Sequence, residues 1–168
     1  MIRKLRCLRW LFLCAAMLTF ADCWAEANCP WINSATASGI LGGPVNVTVT
    51  STNKNSDDAT CNFSFQERGV VYGLHIAVKT MSSPNQEFAS FKQECGPDPT
   101  PLKAIGNEAI ECLVESKTGQ SARVVGRVRE RAFIVEVSTS TRNAPTAARN
   151  AQREKAKDVA EQVSECLY

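Results

Sequence analysis

Apolar and polar residues alternate with a period of two along much of the chain. Val45, Val47 and Val49 are interleaved with Asn46, Thr48 and Thr50, and Cys61, Phe63 and Phe65 with Asn62 and Ser64. Val70, Tyr72, Leu74, Ile76 and Val78 carry the pattern further, and Ile110, Cys112 and Val114 repeat it. Period two puts alternate side chains on one face, so each stretch predicts a half-buried strand. Glu67-Arg68-Gly69 and Lys117 to Gln120 supply turns, because Gly69 and Gly119 tolerate positive φ. Two more strands follow the second turn. With a tight turn at Glu130-Arg131, Val128 faces Phe133, Gly126 faces Val135 and Val124 faces Val137. The other face then pairs Arg129 with Ala132, Arg127 with Ile134, Val125 with Glu136 and Arg123 with Ser138. A one-residue slip would bury the arginines, so this register is strongly favoured.

Three segments follow helical rules instead. Asn33 is an N-cap for a short helix, Ser34 to Leu41, which Gly42-Gly43 ends. Ser83-Pro84-Asn85-Gln86 reads as an N-cap, a first-turn proline and a capping-box partner. The helix it opens runs to about Cys95, with Phe88, Phe91 and Cys95 on one stripe. Gly96 and Pro97 stop it, and Pro97 to Pro101 reads as a stiff loop. The last helix spans about Pro145 to Leu167. Ala156, Val159, Ala160, Val163 and Leu167 form its buried stripe. Arg149, Arg153, Lys155 and Lys157 precede Asp158, Glu161 and Glu165, a charge order that opposes the helix dipole and costs about 0.3–1 kcal/mol per end. The element order is α-βββ-α-βββ-α. It predicts an α+β fold with an antiparallel sheet of about six strands, as if one β-β-β-α unit were used twice.

The N-terminus changes how composition is read. Arg3, Lys4, Arg6 and Arg9 precede an uncharged apolar run, Trp10 to Ala21, and Cys23-Trp24-Ala25 follows. This is the layout of a secretory signal peptide, with cleavage expected after Ala25, or else after Ala27. The run is shorter than the roughly 20 residues of a membrane span, so no retained anchor is expected. Lipidation at Cys23 is disfavoured by Asp22 before it. Residues 1–25 hold four of the 19 basic and one of the 17 acidic side chains, which leaves 15 and 16 in residues 26–168. A near-neutral secreted domain gives no electrostatic case for nucleic acid. Its 143 residues suit a single domain.

Five cysteines remain after residue 25: Cys29, Cys61, Cys95, Cys112 and Cys166. Export makes disulfides the default, and an odd count leaves one thiol over. Cys29 precedes the first helix and Cys61 lies on a strand returning past it. Cys95 ends a helix and Cys112 lies on the strand fed by the stiff loop. These positions predict Cys29–Cys61 and Cys95–Cys112, with Cys166 odd, although the count alone allows other pairings. No C-x-x-C pair accompanies them, and the one histidine, His75, sits in an apolar strand, so neither a metal nor any other cofactor is expected.

Candidate chemistry is sparse. No G-x-S-x-G or phosphate loop occurs. His75 points away from the main apolar face of its strand. Glu108 and Glu111 fall at a strand start, facing opposite sides, and read as solvated. Arg123, Arg127 and Arg129 share one hairpin face and form a candidate grip for a carboxylate, phosphate or acidic polysaccharide. The plainer reading is a solvated face balanced by Glu136. Asn46-Val47-Thr48 and Asn62-Phe63-Ser64 are sequons, relevant only in a eukaryotic host.

Several short pieces together resemble an uncharacterised family of small secreted or lipoprotein-type bacterial envelope domains. They are Cys29-Pro30-Trp31-Ile32-Asn33 leading to Gly39-Ile40-Leu41-Gly42; Cys61-Asn62-Phe63; Ile105-Gly106-Asn107-Glu108-Ala109; Val128 to Phe133; and Lys155 to Ala160. Asn107 stands where that pattern usually has aspartate, and Cys23 lacks the lipobox of the lipoprotein members. The resemblance implies an α+β fold similar to that of the PsbP-type oxygen-evolving proteins and no known reaction. The expectation is an exported, periplasmic or extracellular, non-catalytic binding or structural domain, whose partner would be an envelope component or an anionic ligand. The alternative is a small secreted enzyme or enzyme inhibitor without a recognisable motif.

Overall fold

The structure, a computed structural model, describes residues 28–51 and 58–168. The signal-peptide reading of residues 1–25 lies outside them. The order is α1 (Ser34–Leu41), β1 (Asn46–Ser51), β2 (Ala59–Glu67), β3 (Val70–Thr80), α2 (Pro84–Gln93), β4 (Thr100–Leu102), β5 (Glu108–Ser116), β6 (Gly119–Val128), β7 (Arg131–Thr139) and α3 (Thr146–Leu167). The seven strands form one antiparallel sheet in the order β1-β2-β3-β7-β6-β5-β4. The α+β class and the α-βββ-α-βββ-α order hold, with one strand more than expected. The extra strand is β4, drawn from the segment read as a stiff loop. Pro101 fits there because β4 is short and pairs only with Glu111–Ala109 of β5, leaving proline at an edge.

Local chemistry sets the ends as read. The Asn33 side chain accepts from Thr36 N–H at 2.8 Å, and Gly42 closes α1 at φ 90° with its N–H on the Ser38 carbonyl. Arg68 and Gly69, at φ 49° and 82°, form the two-residue turn between β2 and β3. At α2 the back-bond comes from a different residue than expected. The Ser83 side chain makes no cap, and Glu87 rather than Gln86 accepts from Ser83 N–H, at 2.8 Å.

The β6–β7 hairpin keeps the predicted faces but shifts register by two residues. Val128 pairs with Arg131, Gly126 with Phe133 and Val124 with Val135, so the turn is Arg129-Glu130. It is held from both sides. Asn107 Oδ1 accepts from Arg129 N–H at 2.6 Å, and the Glu130 carbonyl accepts from Met81 N–H at 2.7 Å. Local turn preference did not anticipate this, because the holding groups come from distant segments. Gly126 is needed beneath Phe133: a Cβ there would collide with the Phe133 ring.

The two sheet faces are covered unequally. On one, α1 and α3 pack over all the central strands. Phe63, Leu74, Ile76, Val124, Phe133 and Val135 meet Ala156, Val159, Ala160, Val163 and Leu167 of α3 in one core. The first half of α3 docks differently. Arg153 gives Nε–H and Nη2–H to the two oxygens of Glu111 at 2.9 and 2.8 Å, Arg149 reaches Glu115 at 3.5 Å, and Gln120 Nε2–H donates to Gln152 at 2.9 Å. Of the basic residues that oppose the helix dipole, Arg149 and Arg153 are therefore matched by acids of β5, and Lys157 pairs with Glu154 of α3 itself at 2.7 Å. Glu111, expected to be solvated, is 1 % exposed. On the opposite face α2 packs mainly on β6 and β7 and is tied to β5, with Phe88 clustered with Ile110, Val125 and Ala132.

Candidate functional site on the uncovered sheet face

The part of this second face that α2 leaves open lies over β2, β3 and the near edge of β7. Register carries one polar row across it: Thr48, Asn62, His75, Glu136, Arg123 and Cys112 are successive cross-strand partners from β1 to β5. His75 Nδ1–H donates to Asn62 Oδ1 at 2.8 Å, since an amide oxygen can only accept. Glu136 Oε2 accepts from Nε–H and Nη2–H of Arg123 at 2.9 and 2.7 Å, and Arg123 Nη1–H reaches Glu94 of α2 at 3.2 Å. Burial lowers the His75 pKa below its ordinary value; Glu136 pulls it up and Arg123 pushes it down, but burial dominates. Burial thus favours the neutral ring of His75 over the charged one.

The three arginines singled out from sequence do not share one surface. Arg123 and Arg127 stand on this face, in β6, whereas Arg129 occupies the hairpin turn at φ 54° and is exposed. Arg127 Nε lies 3.6 Å from Glu108, Nη1 lies 3.4 Å from Asn85, and its guanidinium stacks 5.6 Å from the Phe88 ring centroid. Lys92 pairs with the same Glu108 at 2.7 Å, and Lys79 with Glu87 at 3.8 Å. The bases Lys79, Lys92, Arg123 and Arg127 are therefore matched by Glu87, Glu94, Glu108 and Glu136. Each of these four bases thus has a carboxylate partner on its own face.

Beside α2 the face sinks into a cavity of about 430 Å³. Ala77, Ala132 and Ile134 form its floor and Phe91 of α2 its wall, with Thr60, Asp58 and Lys79 at the sides. Thr60, Ala77 and Ile134 are one cross-strand row, and Lys79 and Ala132 begin the next. The depression exists because two of the floor positions are alanine and because α2 is clipped toward β5. Both predicted disulfides are present, Cys29–Cys61 and Cys95–Cys112, with Cα–Cα separations of 5.8 and 5.4 Å, and Cys166 is free and exposed. Cys95–Cys112 draws the end of α2 over β5, leaving β2 and β3 open.

Sequence reasoning missed Phe91 as a cavity wall, Glu94 as a partner of Arg123, and the Asn62–His75 bond. Alternation alone places Asn62, His75 and Glu136 on one face. Which of them meet depends on long-range register. Among the described residues no group of three histidine, cysteine, aspartate or glutamate side chains is placed to hold a metal. No helix among them is long and apolar enough to cross a membrane. The chain matches no protein-family profile, and no curated protein is significantly similar to it.

Proposed function

We propose that this is an exported, non-catalytic binding domain of the bacterial cell envelope, and that it binds through the uncovered face over β2 and β3. The observation that carries this reading is the unequal covering of the sheet. One face is sealed by α1 and α3, while the other keeps an open polar row and a cavity side by side. Concave sites with an apolar floor and a few polar groups are the usual form of a ligand site.

The charged N-terminal run, the apolar segment after it and the two disulfides support export. The short motifs resembling secreted envelope domains, with their PsbP-like fold, point to the same compartment. Arg123 and Arg127 support an anion grip less well, because each is already held by carboxylates of its own face.

The test has two parts. Intact mass of protein exported from a bacterial host is expected to show loss of residues 1–25; a retained N-terminus overturns the export reading. Thr48→Lys and Asn62→Lys, at exposed positions of the open face, are expected to abolish retention of envelope-extract components on the immobilised protein. Arg129→Ser, in the turn, is expected to leave retention intact. Equal retention by all variants overturns the choice of face.

A further inference from the structure

We infer that the cavity beside α2 takes the apolar end of a small amphiphile bearing one carboxylate, with Lys79 as its counter-ion. The inference rests on the binding reading above and adds the ligand class.

The size and lining define the apolar end. A volume of about 430 Å³ lies at the small end of ligand sites, so the occupant is a short acyl chain or a single ring system. Ala77, Ala132, Ile134 and Phe91 offer it no side-chain hydrogen bond; the Thr60 hydroxyl stands at one side. Water in such a space is poorly partnered, and carbon replaces it at a gain.

The charge comes from the rim. Two charged residues line the cavity, Asp58 and Lys79. Asp58 is engaged: its Oδ1 accepts from both the N–H and the O–H of Thr80, at 2.8 and 2.7 Å. Lys79 is held more loosely. Its ammonium lies 3.8 Å from Glu87, with 62 % of the side chain exposed, and 6.0 Å from the centroid of the Phe91 wall. A carboxylate anchored on the cavity's apolar floor can take over that ammonium through a charge-assisted hydrogen bond. One lysine matches a monoanion; a phosphate dianion would want further donors, and Arg123 and Arg127 are committed elsewhere.

The experiment titrates the ¹⁵N-labelled exported protein with octanoate, octan-1-ol and octylammonium, following amide shifts. Octanoate is expected to shift the amides of Ala77, Lys79, Phe91 and Ile134 at roughly tenfold lower concentration than octylammonium, an advantage that rising salt reduces. Lys79→Gln, an exposed substitution, is expected to bring octanoate to the level of octanol. Ala77→Leu, which partly fills the cavity, is expected to weaken all three probes. Equal binding of octanoate and octanol to the unaltered protein overturns the carboxylate assignment while leaving an apolar site. Absence of shifts at these amides with any probe overturns the cavity itself. Neither failure touches the envelope-retention result, which depends on Thr48 and Asn62 outside the cavity.

Discussion

Glu111 is 1 % exposed, and both its oxygens are taken by Arg153, 42 residues further along the chain, at 2.9 and 2.8 Å. The arginine keeps a third of its side chain in solvent while the carboxylate has none. The pair thus hides an acid of β5 beneath the first half of α3. The same bond raises the Arg153 pKa above its ordinary value, so the guanidinium stays charged across all accessible pH.

Removing Arg153 alone is therefore expected to be costly. Arg153→Ala leaves a buried carboxylate unpaired and should destabilise the fold by about 3 kcal/mol, the low end for a broken buried pair because water can follow the lost side chain. The double variant Glu111→Leu/Arg153→Met should recover most of that loss. Urea denaturation of the three proteins checks it. A double variant no more stable than Arg153→Ala would show that the pair is net stabilising.

Phe133 lies over Gly126 on the core side of the central strands. Gly126→Ala places a methyl where the ring sits, so overpacking of about 1–3 kcal/mol is expected. Phe133→Leu in the Gly126→Ala background should cost less than the two single changes added together. Additive losses in a double-mutant cycle would deny the contact.

The disulfides close loops of different length, with sequence separations of 32 for Cys29–Cys61 and 17 for Cys95–Cys112. Chain entropy makes the first worth somewhat under ~4 kcal/mol and the second about 3 kcal/mol. Paired Cys→Ala replacements followed by thermal melts should rank them in that order. Cys166→Ser should leave the melting temperature unchanged, since that thiol is free and exposed.

His75 is the only histidine of the chain, so its ring titration is directly readable by NMR. Burial lowers its folded pKa below 6.5. Between the folded value and 6.5 the unfolded chain binds more protons, so stability rises with pH in that window. This contribution is fully present above pH 6.5 and is lost as pH falls through the folded pKa. His75→Gln should remove that dependence. Glu136→Gln should move the midpoint lower still, because it deletes the group that raises it. A midpoint at or above 6.5 would refute the assignment.

Much of the fold was legible because alternation and capping are local. The period-two runs specified the longer strands and which side chains face the core. Asn33, Gly42 and Gly69 set ends through their own chemistry, and the cysteine positions relative to the elements were enough to pair Cys29 with Cys61 and Cys95 with Cys112. Only the tertiary structure decided the rest, because it depends on groups far apart in sequence. β4 exists through its pairing with β5, and the β6–β7 register was set by Asn107 and Met81 holding the turn. Glu111 looked solvated until α3 laid Arg153 on it. Glu136 already balances the arginine face when read from sequence, but only the structure set it directly against Arg123 and brought Glu94 of α2 to the same guanidinium. A strand's own residues specify which face a side chain takes, whereas its partner is chosen by every element that packs there.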